Sequence, residues 1–365
     1  MNSVLKADPA VMRLAHPLRC LASQHSVYSL LEKFLGSAIY DNLAAAFKRD
    51  GLTSEIVMDV LANPANRKLS VLLEASSRAD GGTEVGNAMS MLLFLRHAMH
   101  PQPYFVIDDA LVEMMENTDI VDDVTVSMVN VPYSRFYIEF GKSRECHLHI
   151  PNIATGKHIL EGAYVERGYN KALGEGLFVL LTASPLGKSN EMDDATHSLF
   201  IPLDNPTRTV RQALEHTAEL STDLAIKSGY RQTPSEFVQP TFEAVMFLLK
   251  TLLYINLPEA RKEVRKEKSE WLKSVSSLQS TAKKAKAAKR GRGLVDHIRI
   301  SAPPVVEGKP TSAAPTRGMK QHWRRGHYRS QAHGPQFSLR KVIFVQPVLV
   351  HGELTATTAP QYIVS

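Results

Sequence analysis

The chain has 365 residues, 44% hydrophobic and 22% charged, a balance that excludes wholesale disorder and predicts two domains, or one large domain with an appended tail. Its net charge of +6 is unevenly spread: from Thr281 to the end there are 15 Lys/Arg against three Asp/Glu, so acids outnumber bases in everything before. An acidic body with a basic C-terminal segment predicts that the segment meets a polyanion, nucleic acid first.

Residues 1–25, with Pro9 and Pro17, read as irregular chain without the apolar core of a signal peptide. Helical spacing follows to residue 100: Tyr28, Leu31, Leu35 and Ile39 recur at helical steps, and Asp50-Gly51 closes that stretch. Two further helices with a turn at Asn63-Pro64, then a more apolar one from Gly86 to Met99, complete a helical N-terminal region over 1–100.

The period then changes. Residues 124–131 and 134–141 read as strands, the second with Phe136, Ile138 and Phe140 alternating with Arg135, Tyr137 and Glu139. Residues 144–151 alternate again, and AYVERGY, GLFVLLTA and THSLFIPL read as three more strands. Short glycine- and proline-punctuated connections predict an antiparallel meander, without crossover helices. Asp108 or Asp109 caps the helix ALVEMMEN. Asn205-Pro206 opens a helix running to Ser228, and the capping box Thr233–Glu236 opens a long apolar helix ended by Leu257-Pro258. Its apolar run, Val245 to Leu257, holds Lys250 and is shorter than the roughly 18 residues of a membrane span. A charged helix follows over 259–280, with Val264, Trp271, Val275 and Leu278 as its thin apolar stripe.

These elements make an α+β body over 101–280. Residues 281–317 read as a basic, proline-containing linker interrupted by a short strand at 294–301, and 318–365 as a basic C-terminal β element. The expected fold is therefore α+β: a helical N-terminal region, a central antiparallel sheet with packed helices, the linker, and a β element able to return to the sheet.

Catalytic motifs are mostly negative. Gly187-Lys188-Ser189 and Gly141-Lys142-Ser143 carry the ending of a phosphate loop, but Thr182 and Phe136 stand where the earlier glycine is required. Cys146, His147 and His149 form the one tight cluster of metal-ligand types. On a strand the two histidines share a face, a third ligand must come from elsewhere, and ordinary strand residues with Cys146 in the core is the favoured reading. The pairs Asp108-Asp109, Asp122-Asp123 and Asp193-Asp194 sit beside turns or helix starts, where adjacent carboxylates rarely converge on magnesium. No catalytic residue, metal or cofactor is assigned. The two cysteines, Cys20 and Cys146, cannot staple a chain of this length and fit a reducing cytoplasm.

The most informative stretch is His322-Trp323-Arg324-Arg325-Gly326-His327-Tyr328-Arg329, followed on the next strand by Arg340 and Lys341. Arginine forks grip phosphate and aromatics stack on unpaired bases, so this segment is the expected contact with nucleic acid or a partner. The run Lys283, Lys284, Lys286, Lys289, Arg290 and Arg292 holds no aromatic and would touch a polyanion through charge alone.

The block HWRRGHYRSQAHGPQFSLRKVIFVQPVLVHGE resembles the C-terminal signature of a phage- and plasmid-borne family, that of the second type V-A anti-CRISPR protein. The shared elements are Arg324 to Tyr328, the turn at Gly334, and the basic strand from Arg340 to Val350 with Gln346-Pro347. Upstream, in the same order, VSMVNVPYSRFYIEF, SLFIPLDNPTRTVRQALEH and FLLKTLLYINLPEA resemble further blocks, so the likeness spans about 125 to 351. The resemblance implies a non-enzymatic, cytoplasmic protein that suppresses production of a CRISPR or other defence nuclease. Such a protein engages the N-terminal part of the nascent polypeptide and causes loss of the message being translated. Its partners would be that nascent chain and RNA or the ribosome, with no membrane. The acidic body would bind the peptide and the basic tail would sit against RNA. Two other readings stand beside it: a nucleic-acid-binding accessory protein of a phage or plasmid, and a metal-dependent nuclease using His147, His149 and some of the acids.

Overall fold

A computed structural model describes residues 8–22, 93, 102–143, 146–152, 155–170, 173–186, 194–228, 235–303 and 322–350. The helices expected over 26–100 and the proline-rich stretch of the linker therefore lie outside the described residues. In chain order the elements are α1 (Pro9–Met12), α2 (His16–Ala22), β1 (Tyr104–Ile107), α3 (Asp109–Glu116), β2 (Thr118–Ile120), β3 (Arg135–Phe140), β4 (His149–Asn152), β5 (Gly156–Asn170), β6 (Gly174–Ala183) and β7 (Ala195–Pro202). They continue with α4 (Val210–Ser228), α5 (Ser235–Ile255), β8 (Arg261–Arg265), α6 (Glu267–Ser276), α7 (Thr281–Arg290), β9 (His297–Ser301), β10 (His322–Arg324), β11 (Gly326–His333), β12 (Leu339–Val345) and β13 (Val348–Val350).

The class is α+β, as expected. Strands β3, β5, β6 and β7 form the antiparallel meander. The sheet extends beyond it, in the order β7-β6-β5-β3-β1-β9-β8 with β4 beside β5, and β1 runs parallel to both β3 and β9. Sequence periodicity misses β1 because all four of its residues are buried. A strand covered on both faces is an apolar run without alternation, which suits a central position with parallel neighbours.

The two faces of this sheet differ in chemistry. Phe105, Ile107, Ile138, Phe140 and Val165 pack into the core shared with α5, where the Phe140 and Phe247 rings meet edge to face at 5.0 Å. Helix α5 is long and apolar enough to cross a membrane by length and composition, but here Val245, Phe247, Leu248 and Leu252 are buried against the sheet. The opposite face carries Tyr104, Tyr137 and Tyr164, with the Tyr104 hydroxyl donating to Glu139 at 2.7 Å. A register shift between Leu160 and Gly162 turns both Glu161 and Gly162 onto this face. The Tyr137 hydroxyl lies where a Cβ on Gly162 would stand, so only glycine fits there. Helix α2 covers part of this face and makes residues 16–22 helical where irregular chain was expected.

Several boundaries move. Residues 124–131 are not a strand: Val126–Met128 is a 3-10 turn held by the Val126 N–H on the Arg208 carbonyl. Helix α4 starts at Val210, because Thr209 and Gln212 form a reciprocal capping box; Asn205 instead closes the preceding turn onto Thr207. The charged stretch 259–280 splits, with Arg261–Arg265 pairing β9 as an edge strand before α6 begins. The first part of the expected linker is helical, since Thr281–Arg290 is rich in alanine and lysine and Ser280 caps its start. The expected strand within the linker is β9, which lies inside the main sheet. The C-terminal element joins a separate three-stranded sheet, β12-β11-β2, and β10 pairs β13.

Candidate nucleic-acid and partner interface

The Arg324–Lys341 region is placed by the short segment Met115–Asp123 of the body. Strand β11 runs parallel to β2, with Gly326 opposite Thr118 and Tyr328 opposite Ile120. The Gly326 N–H donates to the Asn117 carbonyl at 2.9 Å, the Val121 N–H to the Tyr328 carbonyl at 3.0 Å, and the Ser330 N–H to Asp123 at 3.1 Å. Arg325, exposed, pairs with Asp119 at 3.1 Å. Asp122 pairs with Arg211 at 3.1 Å. The Asp122-Asp123 pair is therefore spent on structural contacts to two different elements.

Beneath this junction, Lys250 projects from the apolar helix α5 and donates to the Met115 and Thr118 carbonyls at 2.7 and 2.8 Å. These carbonyls end α3 and start β2, so the ammonium supplies donors that the helix terminus lacks. Burial pushes Lys250 down to about 8, against the pull of the Asp119 and Glu116 carboxylates. Lys250 thus feels the charge of Asp119, the carboxylate that pairs with Arg325.

The sequence-predicted contact residues separate into distinct environments. Tyr328 is wholly buried, stacked on Phe344, with its hydroxyl on the Met115 sulfur at 3.4 Å. It is a core residue and offers no ring to a base. Gly326 is also buried; a Cβ there would lie 2.6 Å from the Pro347 backbone nitrogen, so its role is close approach of two chain segments. His327 is half-buried, and Arg329, Arg340 and Lys341 are exposed. Alternation on the β11–β12 hairpin puts Arg329 and Lys341 on one face, with Gln331 and Ile343, and Arg340 on the other. His322, Trp323 and Arg324 form β10. The hairpin tip presents Phe337, 73% exposed and with a φ of 55°, beside exposed Leu339.

Lys283, Lys284 and Lys286 are exposed on α7; Lys289 and Arg290 complete that helix, and Arg292 lies in the 3-10 turn Gly291–Gly293. Sequence reading missed the residues that extend this charge. Arg261, Lys262, Arg265 and Lys266 are exposed on and just after β8, and Lys268 and Lys273 on α6. Counting charge from Arg261 instead of Thr281 would have found them.

The remaining candidates are structural. Cys146 is buried and its thiol is pushed up to about 12 by burial, while the His147 N–H donates to Glu116 at 2.7 Å. Among the described residues no three His, Cys, Asp or Glu side chains converge as a metal site. Asp108 caps α3 through the Leu111 N–H at 2.9 Å, and Asp109 accepts from the Ser143 N–H at 3.3 Å. A second cluster, invisible in sequence, joins α2 to the sheet. Arg19 bonds Glu161 at 2.7 and 3.0 Å and Asp194 at 3.0 Å, and His16 lies 3.6 Å from both Asp194 and the Cys20 sulfur. It has the residue types of a cysteine nucleophile with its base, yet burial raises the Cys20 thiol well above its ordinary range, so the thiolate that such chemistry needs is absent at neutral pH.

The model of the anti-CRISPR type V subtype A2 family, described as AcrVA2-like, matches residues 105–352. That span runs from β1 through the sheet, both long helices and the C-terminal hairpin. No protein of curated function matches. Among solved structures, the crystal structure of AcrVA2 aligns with 92% of this chain and 99% of that one, with a TM-score of 0.48 and 14% sequence identity. The family model covers more than half of the sequence, and the chain belongs to the AcrVA2-like, anti-CRISPR type V subtype A2 family.

Proposed function

We propose that this protein lowers production of a CRISPR or other defence nuclease by recognising its nascent chain in the bacterial cytoplasm and promoting loss of the mRNA under translation. The observation that carries the reading is the family match over 105–352, which includes the hairpin bearing the Arg324–Tyr328 signature. The acidic body is the side suited to a basic peptide, and the basic C-terminal part is suited to messenger or ribosomal RNA. On the hairpin, cations Arg329 and Lys341 alternate with apolar Ile343 and Leu339, a composition common in protein contacts.

The test is co-expression with a panel of CRISPR nucleases, measuring each nuclease's mRNA and protein, with a start-codon-mutated message as control. Selective loss of one message, only when it is translated, is the expected result and would identify the target. Equal levels across the panel would favour the accessory nucleic-acid-binding reading, whose support is the concentration of basic residues after Arg261.

A further inference from the structure

The chain from β8 to the end of α7 is an excursion between two paired strands. Strands β8 and β9 are antiparallel neighbours, Arg265 opposite His297, and α6 and α7 are inserted between them. The excursion is clasped at its base, where Asp296 accepts from both the backbone N–H and the hydroxyl of Ser269. It is closed above by the Trp271 ring, which covers Gly291 so closely that a Cβ there would collide with it. No residue of α6 is buried, so this arm stands on the body without entering its core.

Its charge is extreme for its size. Between Arg261 and Arg292 the sequence holds twelve Lys/Arg and three Asp/Glu. Nine of those cations are exposed: Arg261, Lys262, Arg265, Lys266, Lys268, Lys273, Lys283, Lys284 and Lys286. Only Arg265 has a close carboxylate partner among the described residues, Glu263 at 2.7 Å, with Asp296 near Lys268. Like charges at this density repel one another, and a polyanion that supplies one phosphate per cation relieves that repulsion while releasing its own counterions.

We propose that this β8–α6–α7 arm binds the phosphate backbone of RNA, through charge and without reading sequence. The choice of RNA over other polyanions rests on the proposed function, in which a translated message is lost. The arm, not the Arg324–Tyr328 signature, is then the principal RNA contact, since Tyr328 and Gly326 of that signature are core.

The experiment is a fluorescence-polarisation titration of the full chain with a labelled mixed-sequence 30-nucleotide RNA, the DNA of the same sequence, and polyglutamate, between about 50 and 200 mM salt. Wild type is expected to bind RNA with affinity falling steeply with salt. The variant Lys283→Ala/Lys284→Ala/Lys286→Ala should lose at least about tenfold in affinity and flatten the log–log salt slope by about 2, from roughly 0.7 per phosphate contact. Alanine is the better helix former, so α7 is retained, and an unchanged melting temperature checks this. The charge-matched control Lys142→Ala/Lys157→Ala/Arg167→Ala, exposed positions on the body, should bind as wild type. Equal losses in both triples would reduce the effect to net charge and overturn the proposal. So would wild-type affinity in the α7 triple, tighter binding to DNA or polyglutamate than to RNA, or no RNA binding at the lowest salt. Because binding is read in vitro with no nuclease present, failure here leaves the co-expression result untouched, and the converse holds.

Discussion

Tyr328 and Phe344 stand directly opposite each other on β11 and β12, their rings stacked with centroids 4.8 Å apart and planes 27° from parallel. Tyr254 of α5 meets Phe344 edge to face at 5.8 Å, so one aromatic cluster joins the hairpin to the core helix. Truncating Tyr328 to Ala removes a wholly buried ring and should cost about 3–5 kcal/mol, read as a lower urea midpoint. Tyr328→Phe loses only a weak contact to the Met115 sulfur and should cost less than about 1 kcal/mol. Similar midpoints for wild type and the Ala variant would mean that the hairpin is not part of the cooperative unit.

Gly326 gives an independent test of the same junction. A methyl there would lie 2.6 Å from the Pro347 nitrogen and 2.7 Å from the Val345 carbonyl oxygen, both backbone atoms that cannot swing aside. Gly326→Ala should destabilise by about 1–3 kcal/mol and weaken hydrogen-exchange protection of the Gly326-to-Asn117 hydrogen bond on β11. Unchanged protection at β11 would count against the placement of Gly326 opposite Thr118.

The same junction shows where sequence is and is not informative. The strands β3, β5, β6 and β7 were legible because one or both faces leave a period or an unbroken apolar run bounded by glycine. Strand β8 was not, because its five residues are all exposed and all but Val264 are charged, so nothing distinguished it from the helix that follows. Parallel pairing of β1 with β9, nearly 200 residues apart, leaves no local trace at either strand. Among the candidate residues, composition gathered Arg325, Tyr328 and Arg329 as one contact set, but alternation on β11 sends Tyr328 inward and Arg329 outward. Asp119, which fixes Arg325, could be identified only once β2 and β11 were seen side by side.

Acid should destabilise this protein earlier than ordinary carboxylate titration would. Burial lowers His197 to about 4 and also lowers His16, where the Asp194 carboxylate only partly opposes it. Both are therefore neutral in the folded chain at pH 7, while in the unfolded chain each takes up a proton near its ordinary value of about 6.5. Below that pH the unfolded state binds more protons, so stability falls as pH drops below about 6.5, by up to about 1.4 kcal/mol per pH unit for each histidine, a fall that for His197 continues to about 4. Urea midpoints at pH 7.5, 6.5 and 5.5 should show the decline, and His197→Gln should make it shallower. A flat profile over that interval would contradict the lowered proton affinity of His16 and His197.

The buried Arg19–Glu161 pair, both side chains 0% exposed, should reveal its cost only through a double substitution. Desolvation works against the charge on Arg19, but Glu161 and then Asp194 more than restore it, raising the guanidinium above its already high ordinary value. Its Nε nevertheless has no hydrogen-bond partner among the described residues. Removing one partner leaves a charge in the interior, so Glu161→Leu should cost about 3–5 kcal/mol. The double variant Arg19→Met/Glu161→Leu fills much the same volume without either charge of the pair, and leaves Asp194 with His16, 3.6 Å away, beside it. It should recover part of that loss, which a double-mutant cycle in urea measures as a coupling of at least about 2 kcal/mol. Additive costs would show that Glu161 and Arg19 act on separate neighbours, and that α2 is held to the sheet by the His16–Tyr164 contact at 2.9 Å rather than by the ion pair.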